Sequence, residues 1–273
     1  MTTSPAVLPK AVALATCAEL PDLDADDHVL VAALKQRGVD VRLPVWDGQR
    51  AAFLPADGVA LTVIRSTWDY TTRRDEFLRF VDDVERDGHI ANPASVVRWN
   101  TDKRYLQQLA ADTVPTVPTV FLDRGRARFV DVVKALPVAT GYVLKPTIGA
   151  GSRDTIHLAG SVDVVAGEAQ AFLDRVLPLE PVMVQPFLPG IAEGEVSLVY
   201  IDGRFSHAVN KRPKAGDFRS QPEFGSQVTR HVPTSTERAV ADAAMRATGG
   251  RLLYARVDLV PGLDGAPVVI ELE

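Results

Sequence analysis

The sequence predicts an α/β fold with α+β character: an open parallel sheet in the first hundred residues, followed by further subdomains. An apolar run at residues 11–17, an amphipathic segment at 26–37 and a second apolar run at 39–45 follow one another as strand, helix and strand. Such a unit implies parallel strands. Towards the end of the chain, strand patterns are joined by short turns instead, which predicts antiparallel hairpins.

Length and composition limit the kinds of protein that this chain can be. Its 273 residues suffice for two or three subdomains, and 46% hydrophobic with 24% charged residues is typical of soluble globular proteins. A net charge of -5 argues against nucleic acid or an anionic membrane as the main partner. No apolar stretch reaches membrane-spanning length, and residues 1–10 lack the pattern of a signal peptide. The single cysteine, Cys17, allows no intramolecular disulfide, so we expect a cytoplasmic protein in which Cys17 is a buried small hydrophobe.

The first hundred residues continue with one more strand and one more helix. The strand pattern covers residues 58–66 and the helix pattern covers 73–87. In open parallel sheets, ligands bind at the carboxyl ends of the strands. Arg65, Ser66 and Trp68 lie at such an end and could bind a small carboxylate; the alternative is that Trp68 simply packs beneath its loop.

The middle of the chain carries two lysines and a glycine-rich loop. A short helix predicted at residues 99–110 holds Lys103 in its first turn. A strand that begins at residue 141 delivers Lys145, and the loop that follows contains Gly149, Gly151 and Ser152. Such a loop offers backbone N–H groups to an anion, although it lacks the glycine-lysine-serine order of a Walker A loop. Taken alone, it is a weak signal.

The elements after this loop are helices and strands in alternation. Helix patterns cover residues 128–136, 162–176 and 235–248, and strand patterns cover 119–122 and 181–190.

The dipeptide Asp202-Gly203 predicts a hairpin between strands at residues 195–201 and 204–212. Strict alternation along the second strand puts four side chains on one face: Phe205, His207, Val209 and Lys211. The polar stretch at 213–232 has no periodicity, so we expect a long loop that acts as a lid or a binding element.

The end of the chain alternates between apolar and charged residues on both sides of a turn at residues 261–265. One predicted face holds Leu253, Ala255, Val257 and Leu259 together with Val268, Ile270 and Leu272. The other face gathers Arg256, Asp258, Glu271 and Glu273. Neighbouring carboxylates must spread into water, protonate or hold a cation, and hard oxygen ligands suit Mg²⁺. From these residues alone, a magnesium and phosphate site and a solvated charged face are both open.

Taken in order, Lys103, Lys145 with its glycine loop, Gln185 with Glu195 after it, Lys211 and the charged end of the chain resemble the ATP-grasp superfamily. The resemblance covers essentially the whole sequence. Within the superfamily the chain is similar to the glutathione-synthetase-like branch, and most of all to the cyclo-ligases that form D-cycloserine from O-ureido-D-serine. The segments that carry this likeness are 65–68, 97–106, 145–147, 207–211 and 256–260.

The resemblance implies three domains. They are an N-terminal substrate-side domain of the pre-ATP-grasp type at residues 1–98, an ATP-grasp subdomain with the phosphate loop at 99–188, and a C-terminal ATP-grasp subdomain with the metal site at 189–273. Relatives continue past the position of Glu273, so we expect the last subdomain to be truncated here.

The resemblance also implies a nucleotide-binding role for nine residues. Lys103, Lys145 and the loop of Gly149, Gly151 and Ser152 would contact the phosphates of ATP, with the loop as a mobile flap. Gln185 and the backbone of Phe187 and Leu188 would hold the adenine edge, and Glu195 would accept hydrogen bonds from the ribose.

The remaining implied roles concern catalysis, metal and substrate. Lys211 and Arg256 would neutralise the transferring phosphoryl group, and the metal, Mg²⁺ or Mn²⁺, would bind Asp258, Glu271 and Glu273. Relatives commonly have asparagine at the position of Glu273, so a third carboxylate is a departure. Arg65, Ser66, Trp68 and His207 would contact the substrate, although a structural role for His207 is also open.

The activity that the resemblance implies is ATP-dependent ligation. A carboxylate substrate would form an acyl phosphate, an amine would displace the phosphate, and ADP would be released. Whether the amine belongs to the same molecule is open, as is a homodimeric state. Two other functions fit the same ATP site: a small-molecule kinase and a non-catalytic ATP-binding protein.

Overall fold

The computed structural model describes residues 10–221, 224–250 and 252–273. Residues 1–9, for which we expect no signal peptide, lie outside the described residues. Residues 222 and 223 of the predicted loop lie outside them as well. Contacts between Cα atoms divide the chain into two units, residues 1–99 and 100–273. The domain boundaries at residues 98 and 188 stay predictions.

The first unit contains a four-stranded parallel sheet in the order β2-β1-β3-β4. Its strands are β1 (Ala11–Thr16), β2 (Asp40–Arg42), β3 (Val59–Ser66) and β4 (Ile90–Ala91). Its helices are α1 (His28–Gln36), α2 (Arg74–Asp87) and α3 (Ala94–Asn100), the last of which ends at the unit boundary. All six residues of β1 are buried, as expected for a central parallel strand covered on both faces. The predicted parallel sheet is confirmed.

An aromatic cluster fixes α2 against this sheet. Phe77 and Val81 of α2 are buried, and Phe77 lies edge-on to Trp46 with ring centroids 5.3 Å apart. Cys17 is buried in the same cluster, which agrees with its expected role as a small hydrophobe. The cluster packs just behind the end of β3, so it fixes the position of the segment that follows this strand.

The second unit begins with a four-stranded antiparallel sheet in the order β5-β8-β6-β7. The strands are β5 (Val120–Leu122), β6 (Gly141–Pro146), β7 (Ile156–Ala159) and β8 (Val182–Pro186), and the helices are α4 (Tyr105–Ala111), α5 (Phe129–Val132) and α6 (Val162–Val176). Tyr142 and Leu144 of β6 point into a core with α5 and α6. Because side chains alternate along a strand, Val143 and Lys145 occupy the opposite face.

The remainder of the second unit is a five-stranded antiparallel sheet in the order β11-β10-β9-β12-β13. Its strands are β9 (Glu195–Ile201), β10 (Arg204–Arg212), β11 (Gln227–His231), β12 (Tyr254–Pro261) and β13 (Pro267–Leu272). Helix α7 (Ser235–Ala247) starts with a capping box between Thr234 and Glu237, and its Asp242 accepts a hydrogen bond from Tyr200 on one face of the sheet. The two predicted hairpins are confirmed. No helix within the described residues has the length and apolar character that a membrane span requires.

The predicted helix at residues 99–110 is wrong in one respect. The chain leaves α3 after Asn100 and enters α4 only at Tyr105, so Lys103 lies in the turn between two helices. Its amide donates to the carbonyl oxygen of Thr147 over 2.9 Å, and Asp102 Oδ1 accepts from the amide of Arg104 over 3.1 Å. These bonds replace the helical ladder that local propensity favours.

Three strands escape the sequence patterns, and the first of them is the two-residue strand β4. The loop expected at 213–232 contains β11, which pairs with β10 from Ala208 to Arg212. Strand β7, directly after the glycine loop, is also unpredicted. Each is an edge strand, with a solvated side and so no full alternation of apolar residues to mark it.

Two irregularities in the strand pairing correct the predicted faces. A register shift between Phe205 and His207 places Phe205 opposite Tyr200, on the α7 side, rather than beside His207. A second shift pairs Asp258 with Glu271 but Leu259 with Val269, so that Ile270 is the extra residue of a β-bulge. Val269 is therefore fully buried in the core, whereas Val268 and Ile270 lie with Val260 on the other side.

Candidate active site

One face of the β9–β13 sheet carries most of the charged residues predicted to act. Directly opposite residues on neighbouring strands share a face, and three such rows cross the sheet. The rows are His207, Val199, Arg256 and Glu273; Val209, Ser197, Asp258 and Glu271; and Lys211 with Glu195. We call the eight residues Lys103, Lys145, Glu195, Lys211, Arg256, Asp258, Glu271 and Glu273 the charged site.

Asp258 is the buried centre of the charged site, with 2% of its surface exposed. Ser197 donates to Asp258 Oδ1 over 2.6 Å, and Arg256 Nη2 donates to Oδ2 over 2.8 Å. Lys211 Nζ lies 3.6 Å from the same carboxylate. Burial acts to raise the pKa of Asp258, but Arg256 and Lys211 outweigh it and hold that pKa below its ordinary value. The carboxylate is therefore ionised and fixed in direction.

Glu271 lies opposite Asp258 and faces Lys103, whose Nζ is 3.1 Å from Glu271 Oε1. Burial acts to raise the pKa of Glu271, yet Lys103 and Lys145 together lower it. The residues before and after the turn with Lys103 both form hydrogen bonds with Leu272 of β13. Asn100 Nδ2 donates to the carbonyl oxygen of Leu272 over 2.8 Å, and the amide of Leu272 donates to the Tyr105 hydroxyl over 2.8 Å.

Glu195 and Lys211 form the third row as a buried ion pair. The Ser220 hydroxyl donates to Glu195 Oε2 over 2.6 Å, so the polar stretch after β10 closes onto this residue. Burial, reinforced by nearby Asp258, raises the pKa of Glu195 to about 7. The pKa of Lys211 is also raised, because its two acidic neighbours outweigh its burial.

Glu273 is half-exposed and forms an ion pair with Arg256, to which it is also joined by two backbone hydrogen bonds. Burial opposes the charge on Arg256, but Asp258 and Glu273 overcome it and raise its pKa. Among residues 10–221, 224–250 and 252–273, no three acidic, histidine or cysteine side chains converge as a ready-made metal cluster. The opposed pair Asp258 and Glu271 remains, and two carboxylates with phosphate oxygens are a donor set that suits Mg²⁺. Three metal ligands therefore stay a prediction.

Lys145 differs from the other cations of the charged site. No carboxylate within the described residues lies within ion-pair distance of its Nζ, whereas Lys103, Lys211 and Arg256 each have at least one such partner. Burial lowers the pKa of the Lys145 ammonium, and Lys103 adds to this effect while Glu271 opposes it. A half-buried cation without a carboxylate partner among the described residues is suited to receive an anionic ligand.

The glycine loop is held at both ends. Lys103 Nζ donates to the carbonyl oxygen of Gly149 over 2.6 Å. Gly151 and Ser152 have positive φ values of 56° and 59°, a conformation that turns successive N–H groups towards one side. Arg153 then donates to the carbonyl oxygen of Ile148 over 3.0 Å and pairs with Glu180. The predicted mobility of the loop stays a prediction.

The strand β8 leads to the residues predicted to hold adenine. Gln185 is buried on the same face as Lys145, and its Nε2 donates to Thr119 Oγ1 over 2.9 Å. The Phe187 amide already donates to the carbonyl oxygen of Gly141 over 2.8 Å, so only its carbonyl is left for a base. The Leu188 amide donates to no acceptor in the described part of the chain, and Leu188 packs with Val117, Val260, Ile191, Val268 and Ile270 in an apolar cluster.

The predicted substrate residues are divided between the units. In the first unit, Arg65 pairs with the buried carboxylate of Asp27, which also accepts from Ser66 over 3.3 Å. Trp68 is 45% exposed at the end of β3, so it does not pack fully beneath its loop. In the second unit, His207 is exposed on the Arg256 row, and its Nδ1 lies 3.1 Å from Ser206 Oγ.

Several site residues have no sequence signal strong enough to find them. Ser197, Ser220, Asn100 and Tyr105 are ordinary polar residues whose roles depend on which strand or turn lies opposite. Only the alternation that puts Ser197 between Glu195 and Val199 could have placed that hydroxyl on the charged face.

The family of the chain is shown by comparison with known proteins. A family model described as prokaryotic glutathione synthetase, ATP-grasp domain, matches residues 117–262, which is more than half of the chain. The chain is an ATP-grasp ligase. A second model, described as the N-terminal domain of D-cycloserine synthetase DcsG, matches residues 12–92.

Comparison with individual proteins shows to which branch of the superfamily this ATP-grasp ligase is similar. It is 33% identical over 283 residues to the cycloserine biosynthesis protein DcsG of Streptomyces lavendulae, covering 96% of this chain and 90% of that one. It is 36% identical over 124 residues to a glutathione synthetase of Prochlorococcus marinus, of which it covers only 39%. Both the superfamily and the branch expected from the sequence are confirmed.

Solved structures support the same assignment. The crystal structure of D-cycloserine synthetase DcsG superposes with a TM-score of 0.82 at 30% identity, covering 96% of this chain and 91% of that one. A D-alanine–D-alanine ligase of Bacillus anthracis gives 0.71 at 14% identity over 96% and 85%, a level that establishes the fold alone. The expected fold class is confirmed. The ATP-grasp ligase is thus an enzyme of a family that forms C–N bonds with ATP and a divalent metal.

Proposed function

We propose that this ligase uses ATP to convert a small amino-acid-like carboxylate into an acyl phosphate, which an amine then attacks. The observation that carries this proposal is the charged site. Four cations and an opposed pair of acids, Asp258 and Glu271, lie together beside a buried glutamine and an apolar cluster. That arrangement suits a triphosphate next to a base, with a metal between the phosphates and the acids.

The nucleotide would lie along the edge between β8 and the charged face. Lys145 and Lys103 would bind its phosphates, together with the N–H groups around Gly149, Gly151 and Ser152. The free amide of Leu188 and the carbonyl oxygens near it would bind the edge of the base over the apolar cluster. Glu195 would exchange its bonds with Lys211 and Ser220 for the ribose hydroxyls.

The chemistry requires two anions to meet, so its barrier is mainly electrostatic. A carboxylate oxygen attacks the γ-phosphorus, the bond to the β,γ-bridging oxygen breaks, and ADP leaves. Lys211 and Arg256 would neutralise charge on the phosphoryl group during this step. A divalent metal, Mg²⁺ or Mn²⁺, held by Asp258 and Glu271 with Glu273 as a third ligand, would add Lewis-acid stabilisation.

In the second step the amine nitrogen attacks the acyl carbon, phosphate leaves with the bonding electrons, and the nitrogen loses a proton. The similarity to DcsG, a cycloserine biosynthesis protein, makes closure of a ring within one amino-acid-like molecule the first case to test. Arg65, Ser66, Trp68 and His207 would contact this substrate.

The test is an assay of ADP and phosphate release with a panel of amino acids, including O-ureido-D-serine, with and without an added amine. Hydroxylamine in the assay converts an acyl phosphate to a hydroxamate, which is measured directly. An amide or ring product with hydroxamate supports the proposal, and Asp258→Asn should abolish turnover with the fold intact. A phosphomonoester product would indicate a kinase, and tight ATP binding without turnover on any substrate would indicate a binding protein.

A further inference from the structure

A chain of three hydrogen bonds ties Gln185 to strand β13, which carries Glu271. The amide of Val117 donates to the carbonyl oxygen of Val269 over 3.1 Å. Thr119 Oγ1 donates to the carbonyl oxygen of Val117 over 2.8 Å, and Gln185 Nε2 donates to Thr119 Oγ1 over 2.9 Å. We call these three residues, Val117, Thr119 and Gln185, the threonine relay.

The relay permits only one orientation of the Gln185 carboxamide. A threonine hydroxyl has a single proton, and the proton of Thr119 is already donated to the backbone of Val117. Thr119 can therefore only accept from Gln185, so the NH₂ group of Gln185 must face it. A flipped amide would set two acceptor oxygens against each other, a buried polar mismatch that is costly.

The consequence concerns the other end of the amide. Gln185 Oε1 accepts no hydrogen bond from any described residue, and Gln185 lies on the face of the β5–β8 sheet that also carries Lys145 of β6. The apolar cluster with Leu188 includes Val117, which is itself part of the relay. A base lying on that cluster would meet a fixed acceptor. Adenine presents an N–H donor at position 6, whereas guanine presents an acceptor there.

We propose that Thr119 is a positioning residue that makes the site selective for adenine over guanine by holding Gln185 in this orientation. The inference rests on the proposed ATP site and adds to it the residue that determines which base is accepted. Thr119 touches no nucleotide atom itself; it acts through the orientation of Gln185.

The experiment measures binding, so it needs no substrate. Affinities for non-hydrolysable ATP and GTP analogues with Mg²⁺ are determined by calorimetry for the full chain and its variants. We expect the parent protein to prefer the ATP analogue. Thr119→Val keeps the shape of the side chain but removes the hydroxyl, so the amide can flip and the preference should fall about tenfold or more. Thr119→Ala is a second variant without the hydroxyl, and Thr119→Ser should restore the preference.

A double variant separates positioning from a general structural effect. Glutamate presents acceptor oxygens in both orientations, so in the Gln185→Glu background Thr119→Val should leave the preference between the analogues unchanged. A purely structural role would instead weaken both analogues together in every background, with a constant ratio.

The outcomes that contradict the inference are distinct from those that contradict ATP binding. A parent protein that binds the ATP analogue selectively, with the same selectivity in Thr119→Val and Thr119→Ala, would overturn the role of Thr119 and leave the proposed function standing. Equal binding of both analogues by the parent would overturn it too. Binding of neither analogue would overturn the proposed ATP site and, with it, this inference.

Discussion

At the scale of single residues, the charged site is balanced. The cations Lys103, Lys145, Lys211 and Arg256 equal in number the carboxylates Glu195, Asp258, Glu271 and Glu273, and three of the four cations are in ion pairs. Buried charges need such partners. A phosphate oxygen that replaces a carboxylate as the partner of a cation leaves that carboxylate behind in the site, so this exchange of partners adds negative charge that must be offset.

Lys145 is the residue whose removal we expect to lower the affinity for ATP most directly. Because its ammonium has no carboxylate partner within the described residues, its removal leaves no acid behind without a cation. We expect Lys145→Met to weaken ATP binding about tenfold to a hundredfold while the melting temperature stays the same or rises. Calorimetric titration with Mg²⁺ and ATP, together with thermal unfolding, measures both effects.

The matched control for this lysine is Lys134→Met. Lys134 pairs with Asp131 on the surface with 73% of its side chain exposed, and the variant should bind ATP as the parent does. Equal affinities of Lys145→Met and Lys134→Met would show that Lys145 does not contact the phosphates.

His157 should make the stability of the fold depend on pH. It stacks on Phe187 with ring centroids 3.8 Å apart, and its buried Nε2 has no hydrogen-bond partner among the described residues. Burial lowers the pKa of His157 below 6.5, so the folded state disfavours its protonation. The unfolded chain then binds more protons, and the free energy of unfolding should fall as the pH drops below about 6.5, by at most about 1.4 kcal/mol per pH unit.

Denaturant unfolding between pH 5 and pH 7.5 tests this linkage. His157→Phe keeps an aromatic ring on Phe187 but cannot bind a proton, so the decrease in stability at low pH should be smaller than in the parent. Phe218→Leu removes a ring that lies 5.3 Å from His157 and should lower stability by the same amount at every pH. An unchanged pH dependence in His157→Phe would contradict the assignment.

At the scale of elements, local pattern predicted most helices and strands, because their buried faces repeat with the period of the element. Helix α6 and strand β10 occupy the predicted residues. The pattern failed where pairing with a distant segment decides the structure: at the turn of Lys103, at the edge strands β4, β7 and β11, and at the two register shifts. Strict alternation cannot anticipate a bulge, since the extra residue is apolar in either arrangement.

The bulge at Ile270 can be tested with two neighbouring valines. Strict alternation would bury Val268 and place Val269 on the charged face, whereas the bulge buries Val269 fully and leaves Val268 at the apolar cluster near Leu188. Val269→Thr puts a hydroxyl into the core and should lower the free energy of unfolding by about 2 kcal/mol. Val268→Thr should cost less stability and weaken nucleotide binding more. Denaturant unfolding and ATP titration of both variants test this prediction. A Val268→Thr variant that is less stable than Val269→Thr would rule out the bulge.

In the candidate site, too, local sequence predicted the charged residues but not the residues that pair with them. The carboxylates on β12 and β13 and the lysine before the glycine loop were predictable, because their spacing puts them on one face or beside a loop. Their partners were not: Ser197 and Ser220 meet the acids only through strand pairing and a long connection. The relay through Thr119 likewise joins residues that are 66 positions apart in the chain.

At the scale of the whole molecule, charge predicts that nucleotide and metal bind together. The chain has a net charge of -5, ATP is itself strongly anionic, and the charged site has no surplus of cations over carboxylates. Without a divalent cation, the triphosphate would face Asp258 and Glu271 at close range, and like charges a few ångströms apart repel by several kcal/mol. A divalent metal held by Asp258 and Glu271 would offset this repulsion with its positive charge.

We therefore expect ATP with EDTA to leave the melting temperature of the protein unchanged, and Mg²⁺ with ATP to raise it. At a nucleotide concentration of about 100 times the dissociation constant, binding adds roughly 2.7 kcal/mol to the free energy of unfolding, a shift of several degrees for a protein of this size. In Asp258→Asn the shift should disappear, whereas Asp131→Asn, a surface carboxylate paired with Lys134, should keep it. Stabilisation by ATP in EDTA as large as with Mg²⁺ would mean that the carboxylates do not face the phosphates, and that the exchange of partners in the charged site proceeds without a metal.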